Sequence, residues 1–460
     1  MQSKEDKIKD FARSACAGLV GLAGAERFNG PPSLDPAYTM RGANSIVSIV
    51  MPMNVPAIYD FLGKKTHGPH NVDQMRIAQR IFRVSTEIAD YIRSLGYEAK
   101  AVPTNCTYRR APDMMATHPS FSHRFGAVVS GLGTFGLSGN VVTREFGAAV
   151  YLSTVVTNAC LKSDPVLPAR EAMDNRCRTC KLCDKSCTLR MFRDDEEEYL
   201  LLNGELHARG KRDNLDFCNM PCFGLHGIAI DKKWSNWGRH WIEQYVGRRP
   251  DPADLAGVRR VLTRVAPDSG DGGPRYQVIQ RYNALLWPRD RVEDLLPDYE
   301  DLPGSEDEIY RLLVKVEENM GVKGLKDPYV LTCGQCALVC GPDFAETKKR
   351  YDLLCSSGYV VPGPDGKMMR VKTFEEAQEA RIKYKLPRPG RLERMRNSGG
   401  AFWVKNYLGF ELVPELQNWQ YQRKNRKACA EAGLAGKEAV APTLFLGIFG
   451  GKSRKSTKRK

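Results

Sequence analysis

Apolar residues recur at two different periods along the first third of the chain. A spacing of three to four residues, as in Ile8, Phe11 and Ala12, is typical of a helix with one buried face. A nearly continuous β-branched run, as in Ser45–Met51, is typical of a buried strand. The order of these patterns predicts an α/β (α+β) layer. Its predicted elements are helices over residues 5–22 and 72–95 and strands over residues 45–51, 97–102 and 148–157.

Later parts of the chain carry weaker patterns. An acidic and then apolar stretch over residues 193–203 predicts a loop that leads into a short helix. Residues 305–320 begin with a serine and two acidic residues and carry apolar positions on one face, which predicts a helix. The long segment over residues 223–331 is predicted to be an insertion with a flexible surface loop.

Two cysteine runs dominate the chemistry of the chain. The first run has the spacing x2, x2, x3, and the second has the spacing x2, x3. This is the thiolate pattern of bacterial two-cluster ferredoxins, whereas a single short C-x-x-C would equally fit a zinc site or a redox pair. The sequence therefore predicts two [4Fe–4S] clusters. The first run is Cys177, Cys180, Cys183 and Cys187, and the second is Cys333, Cys336 and Cys340.

Ligand exchange between the runs follows from the ferredoxin pattern, in which the last cysteine of each run reaches the other cluster. One cluster is predicted to be held by Cys177, Cys180, Cys183 and Cys340. The other is predicted to be held by Cys187, Cys333, Cys336 and one further cysteine. For that eighth ligand Cys222 is preferred, Cys218 is close behind, and Cys355 is a third candidate.

Composition and charge indicate the cellular compartment and the class of partner. The chain has 460 residues, 42% of them hydrophobic, and its fourteen cysteines lie mostly in metal-type runs, which favours a reducing compartment. No export signal is recognised at the N-terminus and no apolar stretch is long enough to cross a membrane, so a cytoplasmic protein is predicted, with peripheral membrane attachment as the alternative. The net charge of +15 suits an acidic electron donor such as a ferredoxin or flavodoxin, although solubility alone explains it equally well. Because the basic residues are spread along the chain, nucleic acid is not a predicted partner.

A polar stretch over residues 104–125 is rich in titratable groups and follows a predicted strand. Such a loop can form the wall of a site or be a solvated connection, and both interpretations stay open. Its candidate catalytic residues are Tyr108, Arg109, His118 and His123, with Asp113 beside them.

A glycine-rich segment follows this loop. Gly131, Gly133 and Gly136 match the spacing of the dinucleotide-binding fingerprint, but that fingerprint also needs a helix that opens at the glycines. The residues that follow are of the β type, so a nucleotide site is not predicted.

The order of these parts resembles the corrinoid and iron–sulfur reductases, which include reductive dehalogenases and epoxyqueuosine reductases. The resemblance covers roughly residues 5–345 and depends on the start Phe11–Val20, the segment Ser130–Gly136, the stretch Arg144–Gly147 and the two cysteine runs. It implies a cobalamin held between an α/β domain and a ferredoxin-like domain. The implied corrinoid-binding residues are Ser130, Gly131, Leu132, Gly133 and Gly136.

The same resemblance implies a domain order and a function. It divides the chain into a corrinoid-binding domain (1–170), a two-cluster ferredoxin-like domain (171–345) with the insertion, and a C-terminal extension with a basic tail (346–460). A reductive dehalogenase acting on a small organohalide is favoured, because epoxyqueuosine reductases have a lysine where this chain has Leu137 and Ser138. The alternatives are an epoxyqueuosine reductase-like enzyme of tRNA modification and a ferredoxin-type electron-transfer subunit without catalysis.

Overall fold

The fold is described from a computed structural model of the chain. The structure describes residues 2–15, 18–103, 119–166, 175–212, 218, 227–238, 292–319, 333–364, 367–384 and 412–439. The helices are α1 (Lys4–Ser14), α2 (Val55–Leu62), α3 (Gly68–Ser94), α4 (His123–Val129), α5 (Asn175–Cys180), α6 (Leu182–Lys185), α7 (Glu306–Asn319), α8 (Gln335–Leu338), α9 (Phe344–Ser356), α10 (Phe374–Lys383) and α11 (Leu412–Glu431). The strands are β1 (Leu19–Gly24), β2 (Ser45–Pro52), β3 (Ala99–Val102), β4 (Thr134–Phe135), β5 (Val141–Val142), β6 (Val150–Thr157), β7 (Phe192–Leu202), β8 (Glu205–Arg212), β9 (Tyr359–Pro362) and β10 (Met368–Val371).

A four-stranded antiparallel sheet in the order β1-β2-β6-β3 forms the centre of the N-terminal half. One face of strand β2, which includes Val47 and Ile49, packs with α1 and α3 in one core cluster. The opposite face, which includes Ile46, belongs to a second core cluster with α4. Helices therefore cover the sheet on both sides, and the predicted mixture of helices and strands is confirmed.

The first helix is shorter than the sequence pattern predicts. Helix α1 ends at Ser14, and residues 19–24 form an edge strand that pairs with β2. Glycine is a poor helix former, and this segment contains two, Gly21 and Gly24. A Cβ atom at Gly21 would collide with the carbonyl oxygen of Ser130, so the strand depends on close backbone approach at this position.

Residues 193–203 are a strand, and the prediction of a loop leading into a helix there is wrong. They belong to β7, which pairs with β8 around Asn203 and Gly204. Both turn residues have positive φ, 53° and 77°, as a two-residue hairpin turn of the I′ type requires. The Asn-Gly pair was the sequence signal for this hairpin.

Helix α7 confirms the helix predicted over residues 305–320. Its residues Ile309, Leu313 and Val316 pack against Val72 and Met75 of α3. The carboxylate of its Glu306 accepts hydrogen bonds from the backbone N–H groups at the start of α3 and from the Thr66 hydroxyl. This carboxylate caps α3 at its positive end, so the described part of the insertion is tied to the N-terminal half.

The C-terminal helix α11 lies against the β7–β8 hairpin. Its fully buried Asn425 accepts a hydrogen bond from the Leu201 backbone N–H (2.7 Å) and donates to the Tyr199 carbonyl (3.1 Å). The Ala439 N–H also donates to that carbonyl (2.6 Å), while the Tyr199 N–H donates to the Lys437 carbonyl (2.7 Å).

The domain boundaries at residues 170 and 345 stay predictions. Among the described helices, none has the length and apolar character needed to cross a membrane.

Candidate cysteine-rich metal centre

Each cysteine run folds into short helical turns that begin after a left-handed residue. Lys181 (φ 52°) separates α5 from α6 in the first run, and Gly334 (φ 72°) precedes α8 in the second. Such breaks turn the chain sharply. These breaks keep the helical turns of both runs short.

The first group of thiols combines three cysteines of the first run with one of the second. Burial is the largest cause of the raised pKa of Cys183, which lies well above its ordinary value. Four neighbouring thiols raise that pKa further: Cys340, Cys336, Cys177 and Cys180. Burial likewise raises the pKa of Cys340 to about 12, with further contributions from Cys177 and Cys180. We call Cys177, Cys180, Cys183 and Cys340, the four predicted ligands of one cluster, the first group; Cys336 also lies near Cys183.

The second group also draws on both runs. Burial raises the pKa of Cys187 to about 12, and the thiols of Cys218 and Cys336 raise it further. Burial also places the pKa of Cys333 well above its ordinary value, with contributions from Cys187, Cys336 and Cys218. We call Cys187, Cys333 and Cys336, the predicted ligands of the other cluster, together with the nearby Cys218, the second group. The influence of Cys336 on Cys183 indicates that the two groups are neighbours.

The remaining cysteines stand apart from these groups where the structure describes them. Cys222 lies outside the described residues, so its prediction as the preferred eighth ligand is not tested. Cys355 interacts with Tyr351 and Asp231. Cys160 is exposed and Cys429 is buried. In the described part of the chain, no group of three or more His, Cys, Asp or Glu side chains is arranged to hold a metal ion.

Two asparagine side chains donate hydrogen bonds to sulfur atoms of the second group. Asn140 Nδ2 lies 3.4 Å from the Cys336 sulfur. Asn236 Nδ2 lies 3.8 Å from the Cys333 sulfur and 2.8 Å from the Thr188 hydroxyl. Neither asparagine is predictable from the sequence, because no local pattern indicates which sulfur atom a distant side chain will contact.

The glycine-rich segment connects the sheet domain to the first group. The Ala148 N–H donates to the Cys340 carbonyl (3.0 Å), and a Cβ atom at Gly147 would collide with that same carbonyl. A Cβ atom at Gly136 would lie 3.6 Å from the Cys177 sulfur. Residues 147 and 148 therefore contact the backbone of Cys340 directly, and only a glycine at position 147 allows this approach.

No helix opens at these glycines. They flank β4 and β5, which pair with each other, so the helix that the dinucleotide-binding fingerprint requires is not at this position. A Cβ atom at Gly131 would collide with the Pro165 carbonyl, and one at Gly133 would lie 2.6 Å from the Val142 carbonyl. Protein atoms thus lie on the side of each glycine to which a side chain would project. The corrinoid-binding role of this segment stays a prediction.

The other two predicted corrinoid-binding residues also make contacts within the protein. Ser130 is buried and donates to the Ser48 hydroxyl (3.2 Å), whereas the Leu132 side chain lies beside Gly21. Three of the candidate catalytic residues, Tyr108, Arg109 and His118, lie outside the described residues.

His123, the fourth candidate, begins helix α4 below the sheet. Its Nδ1 atom lies 3.0 Å from the Thr154 hydroxyl of β6. Burial lowers the pKa of His123 to about 4, and the nearby Pro103 carbonyl opposes that shift. The imidazole is therefore neutral at pH 7 and fixed to the sheet, an arrangement that suits a structural role.

The buried His123 gives the folded chain a predictable sensitivity to acid. Its pKa is below the ordinary histidine value of about 6.5, so the unfolded state binds the proton more readily between pH 6.5 and pH 4. Stability should therefore fall as the pH falls through that window, by at most about 1.4 kcal/mol per pH unit for this group. We expect His123→Gln to lose less stability than the parent chain between pH 7 and pH 4.5 in urea unfolding. If His123→Gln and the parent chain lost the same stability between pH 7 and pH 4.5, the low pKa of His123 would be contradicted.

No protein-family model matches the chain, and no curated protein matches it either. Among solved structures, it is similar to a reductive dehalogenase described in connection with B12-dependent dehalogenation. The identity is 14% and the TM-score 0.33, over 64% of this chain and 37% of the dehalogenase. It is also similar to an epoxyqueuosine reductase solved with a tRNA stem loop, at 15% identity and a TM-score of 0.34, over 76% of this chain and 98% of the reductase. The reductase from Bacillus subtilis gives 12% identity and a TM-score of 0.33, over 70% and 98%.

These structures belong to the two groups of enzymes named by the sequence resemblance. This chain spans only 37% of the length of the dehalogenase. All three TM-scores are below 0.5, so the likeness carries no argument about activity.

Proposed function

We propose that the chain is an iron–sulfur oxidoreductase that relays electrons through two [4Fe–4S] clusters. The single observation that carries the proposal is that the two runs approach each other, since Leu182 and Leu338 share a core cluster and Cys340 lies near Cys177. The exchange of ligands in two-cluster ferredoxins requires such proximity. Clusters of this kind supply one-electron transfer at low potential.

The chain's own residues would bind the clusters and limit access of water to them. The thiols of Cys183 and Cys187 are enclosed, and burial alone would keep them protonated. In a bound cluster these thiols would be thiolates, because a thiol that coordinates a metal loses its proton. The buried Trp234 and Trp237 pack in the same core cluster as Leu182 and Leu338, which flank the cysteines. The site is thus walled by apolar side chains.

Within this class, reductive dehalogenation of a small organohalide is our first candidate. It is supported by the sequence resemblance, which also implies a cobalamin. The segment from Ser130 to Gly136 is the proposed place for that cofactor. Cobalt content is therefore a decisive property to measure.

A second candidate, reduction of a modified base in tRNA, is favoured by helix α11. Its exposed side carries four basic residues, and Arg423 stacks over the Trp419 ring at 4.8 Å. Basic residues on one face beside an aromatic ring are typical of nucleic-acid binding. The four are Arg423, Lys424, Arg426 and Lys427, of which Arg426 and Lys427 pair with Glu438 and Glu431.

The electron donor is proposed to be an acidic ferredoxin or flavodoxin. The net charge of +15 favours its approach, and Lys181 and Lys185 lie within the first cysteine run. Attraction of this kind weakens as salt is added.

Metal analysis after anaerobic purification tests the proposed function. We expect about eight iron atoms per chain, four for each of two cubes. A dehalogenase would also contain about one cobalt and would release halide from a panel of halogenated phenols supplied with a reduced ferredoxin. Eight iron atoms without cobalt, with no halide release and no change in epoxyqueuosine-containing tRNA, would indicate an electron carrier. Zinc in place of iron would overturn the proposal.

A further inference from the structure

We propose that Asn140 and Asn236 are positioning residues that raise the reduction potential of the cluster at the second group. This inference rests on the proposed function, since it needs two clusters. It concerns side chains outside both cysteine runs.

Asn140 is held in place by the turn between β4 and β5. Its carbonyl accepts a hydrogen bond from the Gly136 N–H (2.9 Å), and its own N–H donates to the Ser138 hydroxyl (3.4 Å). With its backbone fixed at both ends, the side-chain amide points to the Cys336 sulfur at 3.4 Å. The contact therefore belongs to a defined turn and does not depend on a freely rotating surface side chain.

Asn236 is fully buried and bridges the two cysteine runs. One amide group reaches both the Thr188 hydroxyl, next to Cys187, and the Cys333 sulfur. An NH2 group has two hydrogens, so it can serve both acceptors at once. The Asn236 N–H donates to the Gly227 carbonyl (3.2 Å), which fixes the backbone on the far side.

Hydrogen bonds to cluster sulfurs are one of the levers that set the reduction potential. Reduction adds one electron and no proton, so the reduced cluster is more negative and its sulfurs accept hydrogen bonds more strongly. Donors to sulfur therefore favour the reduced state. Removing them should lower the potential of that cluster alone.

Other donors also lie near the cysteine sulfurs. At the second group, the backbone N–H groups of Leu189 and Met191 approach Cys187, and that of Gln335 approaches Cys333. At the first group, the Ala148 N–H and the Arg176 charge approach Cys340. The side-chain amides of Asn140 and Asn236 reach sulfurs of the second group.

An anaerobic redox titration followed by electron paramagnetic resonance tests this inference. Dithionite and mediator dyes supply the electrons. In Asn140→Leu, one of the two clusters should move to a lower potential by about 59 mV, which is a tenfold change for a one-electron couple. The other cluster should keep its potential. Asn140→Asp removes the same donor within the same side-chain shape and should move the same cluster downward.

A matched control is Asn44→Leu, because Asn44 donates to the sulfur of Cys160 (3.9 Å), which belongs to neither group. It should leave both potentials unchanged. Iron is measured first in each protein, so absence of clusters in the parent chain would overturn the proposed function itself. Unchanged potentials in both Asn140 variants, with iron intact, would overturn this inference alone. Equal shifts of both clusters would contradict the local action of Asn140 on the second group.

Discussion

Cys218→Ala is expected to remove one of the two clusters, and to lower the iron content from about eight to about four atoms per chain. The reason is that the Cys218 thiol influences both Cys187 and Cys333, so it completes a set of four with Cys336. A [4Fe–4S] cube that loses one of four thiolates is left with an exposed iron corner. Iron and sulfide analysis of the anaerobically purified variant measures the loss.

Cys222→Ala is the matched comparison for this prediction, since both residues were candidates for the same ligand. It should retain about eight iron atoms per chain. Cys160→Ala serves as a second control, because Cys160 is an exposed thiol outside both groups. If Cys222→Ala lost the iron and Cys218→Ala kept it, Cys222 would be the eighth ligand.

Gly147→Ala is expected to destabilise the junction between the sheet domain and the second cysteine run. Gly147 has a φ of 68°, where a side chain costs about 1–2 kcal/mol. A Cβ atom there would also collide with backbone atoms of Cys340 and Gly341, which cannot rotate away. The loss of unfolding free energy should therefore exceed the cost of the φ angle alone, and the first group should bind its cluster less firmly.

Gly204→Ala separates these two causes. Gly204 has a φ of 77° in the β7–β8 turn, and its Cβ position is open, with no atom within 4 Å. It should cost only the conformational part, about 1–2 kcal/mol. Urea unfolding of both variants with their iron content measures the difference. Equal losses, with iron retained in Gly147→Ala, would show that the junction relaxes around the added methyl group.

The spacing of the cysteine runs predicts an exchange of ligands, because ligand spacing is a local property. Cys340 lies near Cys177 and Cys180, as that exchange requires, and the two ligand sets stay predictions. The choice between Cys218 and Cys222 stays open as well, because Cys218 lies near Cys187 and Cys333 whereas Cys222 lies outside the described residues. Both cysteines are isolated in sequence, so only tertiary packing can separate them.

Among the strands, some were predictable from the sequence and others were not. Strand β2 was predicted from its β-branched run, and it lies at the predicted position. Strand β7 was missed, although Asn203 and Gly204 are a strong local signal, because the acidic residues before it suggested a loop. The asparagines that reach sulfur could not be predicted, since a hydrogen bond across 196 residues of sequence depends on the fold.

The most direct test of the account uses pairs of cysteine substitutions. If the runs exchange ligands, Cys177 and Cys340 hold the same cube, and Cys177→Ala/Cys340→Ala should keep about four iron atoms per chain. In that case Cys177→Ala/Cys187→Ala removes a ligand from each cube and should keep almost none.

The opposite outcome would contradict the account. If each run held its own cube, Cys177→Ala/Cys340→Ala would lose almost all the iron, and Cys177→Ala/Cys187→Ala would keep about four atoms per chain. Iron content of these two double variants, purified anaerobically beside the parent chain, is the measurement that decides between the two arrangements.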